Sequence, residues 1–308
     1  MRLSAAERLP DEWRGAIVAL GNFDGFHLGH QAVAREALEW ARAEGRRCLI
    51  ATFDPHPVRH FKPDLPPFRL TTLDQREVLF TAFGADATLV FPFDGVLAGL
   101  SADAFVTERL VDRIGAAGVV TGEDFTFGRG REGDVAGLTR LGAAHGLAAR
   151  AVGPVAADGE VVSSSRIRDA LTAGDCATAA RLLTRPFTVA GEVLHGDKRG
   201  RTIGYPTANM ALGPYLRPRY GIYAVRARLP DGRVAPGAAN VGVRPQFQPP
   251  VEGLETYLFD FDGDLYGRTI AVEFHRFLRP EARFDDLSAL VAQMDRDCAD
   301  ARHVLDAG

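Results

Sequence analysis

The stretch Gly21-Asn-Phe-Asp-Gly-Phe-His-Leu-Gly-His30 follows an apolar run, Ala16–Leu20, and precedes Gln31–Glu44, which is rich in Ala, Leu and Glu. The apolar run predicts a buried strand, and the later segment predicts a helix. A strand that turns tightly into a helix directs backbone N–H groups and the positive end of the helix dipole towards one point. His27 and His30 can donate hydrogen bonds to phosphate oxygens there without a metal. The stretch therefore predicts a phosphate site for a nucleotide.

Two other interpretations of the two histidines are open. They could bind zinc together with His56 or His60, although nothing nearby resembles a closed Cys/His site. They could also belong to a turn with a structural role only. Phosphate binding is favoured because glycines stand where the backbone must approach a ligand closely, at Gly21, Gly25 and Gly29. Neither the GxGxxG fingerprint nor the Walker A pattern occurs at this turn.

Length and composition are typical of a globular protein with two domains. The 308 residues are 46% hydrophobic and 25% charged, which is enough for a sizeable core. The net charge of −4 argues against a broad basic surface for nucleic acid, so we expect small-molecule partners. No apolar run is long enough for a transmembrane helix, and we expect no signal peptide. Three scattered cysteines without a CxxC pair indicate reduced thiols and a cytoplasmic protein.

Strands and helices alternate in the first part of the chain. Apolar runs such as Cys48–Phe53 and Ala87–Phe93 alternate with helical segments such as Ser101–Ile114, where Ser101 is the predicted N-cap and Gly115 the stop. The pattern predicts an α/β domain whose parallel sheet is covered on both faces.

The pattern changes near Arg185-Pro186. Beyond it, short strands separated by Gly, Pro and Asp turns predict a small closed β-barrel. Asp285–Leu305 predicts a closing helix. The sequence therefore predicts two domains, residues 1–184 and residues 185–308.

Three further segments of the first domain carry polar residues. Val162–Arg168 begins a predicted helix with three serines and ends in arginine, which suits an anion, although the serines could be a simple N-cap. Thr52–Pro57 and Gly122–Gly128 each follow an apolar strand. Both are therefore predicted at the carboxyl edge of the sheet, where ligands bind in open α/β folds. Each combines a carboxylate with aromatic residues, which suits a planar ligand.

The second domain contains a Gly- and Arg-rich segment, Gly196–Asn209. Its backbone amides and Lys198 could surround a phosphate chain, or the segment could be a glycine-rich barrel turn. Thr207 and Asn209 share one face of extended backbone, and their oxygens suit Mg²⁺. Glu255 precedes an apolar strand and could act as a general base towards a hydroxyl.

Together, these motifs resemble those of the bacterial bifunctional riboflavin kinase/FMN adenylyltransferase family, also called FAD synthetase. The resemblance covers nearly the whole chain: Gly21–His30 is similar to the adenylyltransferase signature, and Gly196–Asn209 is similar to the kinase motif that ends in Pro-Thr-Ala-Asn. It implies an N-terminal Rossmann-like nucleotidyltransferase domain and a C-terminal β-barrel kinase domain. It also implies two reactions, in which ATP converts riboflavin to FMN and a second ATP converts FMN to FAD and pyrophosphate.

The resemblance further implies a role for each matching residue. Glu255 would accept the proton of the riboflavin 5′-hydroxyl, while His27 and His30 would stabilise charge at the α-phosphorus. Thr207 and Asn209 would hold Mg²⁺ with the ATP phosphates. The implied nucleotide-binding residues are Gly21, Phe23, Asp24, Gly25, Gly29, Asp124, Ser164, Ser165, Arg168, Gly196, Lys198, Gly200, Gly204 and Pro206. The implied flavin-binding residues are Asp54, Phe125 and Arg244.

The sequence departs from the family pattern at two positions. Ser165 and Gln246 stand where family members often carry Thr. Ser165 keeps the hydroxyl, whereas Gln246 could alter the affinity for riboflavin. Two alternatives to a bifunctional enzyme are a protein with one active domain and a non-catalytic flavin or nucleotide sensor. A sensor would need neither the base nor the metal pair.

Overall fold

The computed structural model describes residues 1–195, 204–244 and 251–307. They form two compact units. The first contains Met1–Pro66 and Thr71–Ser163, and the second contains Pro67–Leu70 and the chain from Ser164 onwards. Each unit has its own sheet and is described by itself below.

The sheet of the first unit is parallel. Its strands are β1 (Arg2–Ser4), β2 (Ile17–Leu20), β3 (Cys48–Asp54), β4 (Ala87–Pro92), β5 (Gly118–Gly122) and β6 (Ala148–Val152). They lie in the order β1-β4-β3-β2-β5-β6. Because β3 and β4 lie on one side of β2 and β5 and β6 on the other, the segment after β2 leaves the sheet at a topological switch point. A two-stranded hairpin follows, formed by β7 (Ala156–Ala157) and β8 (Glu160–Val161).

Helices connect the strands of this sheet. They are α1 (Leu28–Ala43), α2 (Pro57–Phe61), α3 (Leu73–Phe83), α4 (Gly95–Gly99), α5 (Ala102–Ala104), a π-helix (Phe105–Ile114) and α6 (Val135–Ala143). The predicted caps of the α5 segment are confirmed, since the Ser101 side chain accepts from the Ala104 N–H at 3.1 Å and Gly115 ends the π-helix with φ 64°. No pattern in the sequence predicts the change to π geometry after α5.

Alternate residues of β2 face two different cores. Val18 and Leu20 pack with Leu49 and Leu89 on one face of the sheet. Ile17 and its neighbours on the other face pack against α1. A central strand that is buried on both faces confirms the predicted α/β architecture.

The second unit contains helices and an antiparallel sheet. Its helices are α7 (Ser164–Ala173), α8 (Cys176–Leu183) and α9 (Leu287–Asp306), and its strands are β9 (Phe187–Glu192), β10 (Thr207–Ala211), β11 (Gly221–Arg228), β12 (Val234–Arg244), β13 (Val251–Leu258) and β14 (Thr269–Arg279). The strand order is β10-β13-β12-β11-β14-β9. The sheet curls, because Leu194 beyond β9 donates its N–H to the Asn209 carbonyl of β10 at 2.8 Å. The curled sheet and the closing helix α9 confirm the predicted β fold.

Helix α9 is fixed to the sheet by a buried ion pair. Asp297, which is buried, accepts from Arg279 Nε at 2.7 Å and Nη2 at 2.6 Å, and from Gln293 Nε2 at 2.9 Å. Ala301 and Leu305 on the same helix pack against the sheet. Among the residues that the structure describes, no helix has the length and apolar character needed to span a bilayer.

Asp297→Ala is expected to lower the free energy of unfolding of the second unit by about 3 kcal/mol, because Arg279 loses its partner inside the protein. Near-ultraviolet circular dichroism during urea unfolding measures the effect, with the six tyrosines reporting on this unit and the two tryptophans on the other. The matched control is Asp260→Ala, which removes an exposed carboxylate paired with Arg302 of the same helix. Its unfolding midpoint should stay near the wild-type value. Equal losses in both variants would contradict this account.

Candidate active sites

The N-terminus of α1 lies directly beyond the switch point after β2. His27 is its N-cap, and its Nδ1 accepts from the His30 N–H at 3.4 Å. The first turn of this 16-residue helix carries no acidic residue. The positive end of the helix dipole is therefore not neutralised by the helix itself, and it can attract an anion.

The two histidine rings form a stacked pair at this helix end. Their centroids lie 3.6 Å apart with an interplanar angle of 18°. Because Nδ1 of His27 accepts a hydrogen bond, the neutral ring carries its proton on Nε2. A Cβ at Gly29 would come within 3.3 Å of the His27 ring, so glycine allows this ring position.

The loop between β2 and α1 adopts an unusual backbone conformation. Three of its residues have positive φ angles, 49° at Phe23, 91° at Gly25 and 44° at Phe26. Such angles are unfavourable for phenylalanine and persist where surrounding packing enforces them. The Phe23 ring provides that packing, since its centroid lies 5.2 Å from His30 and 5.7 Å from Phe80. The Phe23 side chain thus belongs to the core under the loop.

Asp24 ties the same loop to the segment before α3. It is 1% exposed, and its Oδ1 accepts from the Thr71 N–H at 3.0 Å and the Thr71 hydroxyl at 3.3 Å. The hydroxyl in turn accepts from the Gly25 N–H at 2.9 Å. In the structure Asp24 therefore holds the loop in place through its hydrogen bonds to Thr71. Its predicted contact with nucleotide stays a prediction.

Arg76 on α3 is a residue that sequence reasoning missed. It is fully buried, and its Nη1 donates to the Asn22 carbonyl at 3.1 Å, to the Phe53 carbonyl at 3.4 Å and to the Thr52 hydroxyl. Its Nη2 lies 3.4 Å from Asp54 Oδ1. One guanidinium thus connects the loop after β2 with the end of β3. An arginine within a helical pattern is normally exposed, so no local pattern indicates this role.

The third predicted segment of this edge follows β5. Asp124 is exposed, and the Phe125 ring stacks on Phe127 with centroids 5.8 Å apart. Strands β3, β2 and β5 are adjacent and parallel. The structure therefore brings Asp54, the histidine pair and Asp124 to one carboxyl edge.

Ser164, Ser165 and Arg168 lie on α7, in the second compact unit. Ser165 is exposed at the start of the helix. Arg168 Nε donates to the Phe68 carbonyl at 2.9 Å, and its guanidinium lies 5.4 Å from the centroid of the Phe68 ring. The hydroxyls stand at a helix N-terminus as predicted from the sequence, and their binding of phosphate stays a prediction.

Three adjacent strands of the second unit place polar residues side by side. Asn209 on β10 is opposite Glu255 on β13, and Glu255 is opposite Asn240 on β12. Asn209 Nδ2 donates to the Thr207 carbonyl at 3.0 Å and to the Thr207 hydroxyl at 3.4 Å. Thr207, Asn209 and Glu255 therefore form one cluster. Sequence reasoning assigned no role to Asn240, whose Nδ2 lies 3.5 Å from Glu281 Oε1.

The remaining predicted residues of the kinase site border this cluster in sequence. Gly204 has φ 87°, and Pro206 directly precedes β10. Arg244 is the last residue of β12. Gly196, Lys198, Gly200 and Gln246 lie outside the described residues.

Two family models match the chain, FAD synthetase over residues 9–166 and riboflavin kinase over residues 183–305. The bifunctional riboflavin kinase/FMN adenylyltransferase of Pseudomonas fluorescens is 42% identical over 295 residues, which are 96% of this chain and 94% of the relative. The chain belongs to the bifunctional riboflavin kinase/FMN adenylyltransferase family. The member of this family from Escherichia coli K12 is 38% identical over 94% of this chain and 92% of its own length.

A solved structure supports the same fold. It is described as a macrolide-efflux protein from Streptococcus pneumoniae, and it matches with a TM-score of 0.85 and 29% identity over 96% of this chain and 97% of its own. In the present chain, the segment that matches FAD synthetase contains the histidine pair, Asp54 and Asp124. The riboflavin kinase match contains Thr207, Asn209 and Glu255.

The N-cap role of His27 predicts a difference between two substitutions. His27→Ala should lower the free energy of unfolding of the first unit by about 1 kcal/mol, because the cap of α1 is lost. His27→Asn should stay near wild type, since asparagine is a good N-cap. Both tryptophans belong to the first unit, so their fluorescence during urea unfolding measures the effect. Equal destabilisation by both substitutions would contradict the capping role.

Proposed function

We propose that the chain makes FAD from riboflavin in two reactions, each at a site of its own. The observation that carries the proposal is that each compact unit gathers one separate set of reactive side chains. In the first unit these are the stacked histidines at the N-terminus of α1. In the second they are Glu255 and the two residues Thr207 and Asn209 beside it. The substrates are ATP, riboflavin and FMN, as both family matches imply.

The kinase reaction is assigned to the cluster on β10 and β13. The 5′-hydroxyl oxygen of riboflavin attacks the γ-phosphorus of ATP, and ADP leaves. Glu255 accepts the hydroxyl proton as general base. Asn209, opposite Glu255 in the strand register, fixes where the phosphates lie relative to this base. Catalysis then rests on positioning and on stabilisation of charge.

Mg²⁺ is the metal that suits this cluster. Thr207 offers a hydroxyl oxygen and Asn209 an amide group on one face of the strand. Mg²⁺ prefers oxygen ligands and is usually bound through few protein groups together with substrate phosphates. Within residues 1–195, 204–244 and 251–307, no group of three or more His, Cys, Asp or Glu side chains could hold a metal. Thr207 and Asn209 would therefore hold the ion with the ATP phosphates, and the ion would neutralise their charge.

The adenylyltransferase reaction is assigned to the carboxyl edge of the parallel sheet. A phosphate oxygen of FMN attacks the α-phosphorus of a second ATP, and pyrophosphate leaves. His27 and His30 donate hydrogen bonds to the oxygens on which negative charge develops, together with the backbone at the N-terminus of α1. Asp54 and Phe125, at the same edge, are proposed to contact the flavin. Ser164, Ser165 and Arg168 are proposed to bind the phosphates of ATP.

We further propose that the adenylyltransferase domain ends near residue 184.

A cytoplasmic location is also proposed, and it agrees with the three free cysteines. Burial raises the pKa of the Cys48 and Cys176 thiols to about 12, so both are unreactive near neutral pH.

Two substitutions separate the two reactions. Glu255→Gln should lower the rate of FMN formation from riboflavin about 100-fold or more, because the base is lost, and should leave FAD formation from FMN unchanged. His30→Ala should lower FAD formation from FMN about 100-fold and leave FMN formation unchanged. Chromatography with each flavin as the starting substrate measures both rates. If either variant loses both activities or neither, the assignment of that residue is wrong.

Arg76 is expected to position the adenylyltransferase site without contacting substrate. Arg76→Met should lower kcat for FAD formation from FMN about 100-fold, because the loop after β2 and the Asp54 side chain lose their shared anchor. Val78→Met, on the exposed face of the same helix, is the matched control. FMN formation from riboflavin should be unchanged in both variants. Full FAD synthesis by the Arg76 variant would exclude the positioning role.

A further inference from the structure

A cavity at the edge of the parallel sheet is lined by a buried arginine, Arg109, for which the described residues provide no hydrogen-bonding partner. Arg109 of the π-helix is 7% exposed. Within the described part of the chain its guanidinium makes no hydrogen bond and no salt bridge, and its Nε is completely enclosed. A guanidinium carries five N–H donors and stays charged in proteins. Enclosing Nε without an acceptor is unfavourable, whereas the other two guanidinium nitrogens are not enclosed and can donate to a ligand in the cavity.

The cavity has a volume of about 190 Å³ and lies beyond the carboxyl ends of β1 and β4. Strand β3 separates β4 from β2, so the cavity is distinct from the histidine pair that follows β2. A cavity of this volume suits a small ligand.

The charges around the cavity favour a single negative charge. Arg113 also lines it and donates to the Ala6 carbonyl. Asp94 contributes the one carboxylate, and its Oδ1 caps α4 by accepting from the Leu97 N–H at 2.8 Å. Burial, followed by the charge of Arg113, lowers the pKa of Arg109, whereas Glu108 and Asp94 raise it. Among the lining residues two cations face one anion, and Glu108 lies outside the lining, so the wall of the cavity itself carries an excess of positive charge.

The other walls are apolar and include Phe91, Val96 and Leu97. An arginine fork at one end of an apolar cavity matches a carboxylate, which can accept two parallel N–H···O bonds. We propose that this cavity binds a small monocarboxylate, with its carboxylate on Arg109 and its apolar body against Phe91 and Leu97. Inorganic phosphate carries no apolar group for these walls and is the weaker ligand.

Butyrate, with six non-hydrogen atoms, is the probe, and butanamide is its neutral counterpart of the same size. The shift of the thermal unfolding midpoint of the full chain is measured against ligand concentration. We expect a saturable rise with butyrate, with a dissociation constant on the order of 1 mM, and at least about tenfold weaker binding of butanamide. Absence of a saturable rise with butyrate would overturn the proposal.

Substitutions in the cavity test whether the butyrate-dependent shift of the unfolding midpoint arises from binding at this site. Arg109→Leu should remove the butyrate-dependent shift, whereas Arg8→Leu, the same change at an exposed arginine of the first unit, should preserve it. Val96→Trp, which fills the cavity from a wall residue that is 66% exposed, tests the site even if Arg109→Leu does not fold. This variant should also lose the shift. If butyrate shifts the thermal unfolding midpoint equally in Val96→Trp and in wild type, the ligand does not bind in this cavity. If phosphate gives a larger Arg109-dependent shift than butyrate, the assignment of a carboxylate ligand is wrong.

Discussion

The first unit depends on one constraint, the abrupt passage from the buried strand β2 into helix α1. Seven residues separate the end of the strand from the start of the helix, and two phenylalanines among them adopt positive φ angles. The conformation is held from below by Asp24, which binds Thr71, and by Arg76, which binds the Asn22 carbonyl. These buried polar contacts connect the loop to two neighbouring segments, so they favour one loop geometry. As a result, the stacked histidines and the dipole of α1 are directed to the same place.

In the second unit, the register of the strands positions the reactive side chains, as the loop between β2 and α1 does in the first unit. Antiparallel pairing aligns Asn209, Glu255 and Asn240 on three neighbouring strands. A shift of one residue in either pair would turn Glu255 to the opposite face of the sheet and separate it from Asn209. The ion pair between Arg279 and Asp297 fixes α9 to the last long strand of the same sheet. The base and the proposed metal ligands therefore owe their proximity to the fold of the whole unit.

Local patterns predicted most of the fold and most of the proposed site. The glycine–histidine stretch and the strand–helix alternation are short-range signals, and they predicted the parallel sheet and the position of the histidines correctly. Strand β1 was missed because Arg2–Ser4 is too short to show a pattern, and it is defined only by pairing with β4. Arg76, Thr71 and Asn240 were missed for a similar reason. Thr71 contacts residues that are at least 46 positions away in the sequence, and Asn240 meets Glu255 only through strand pairing. No local spacing in the sequence therefore indicates these contacts.

Both units are expected to be active and to work in sequence. A chromatographic time course of purified protein with riboflavin, excess ATP and Mg²⁺ tests this most directly. We expect FMN to rise first and then to fall as FAD accumulates. Accumulation of FMN without FAD would contradict the role of the histidine site, and formation of neither product would contradict the account as a whole.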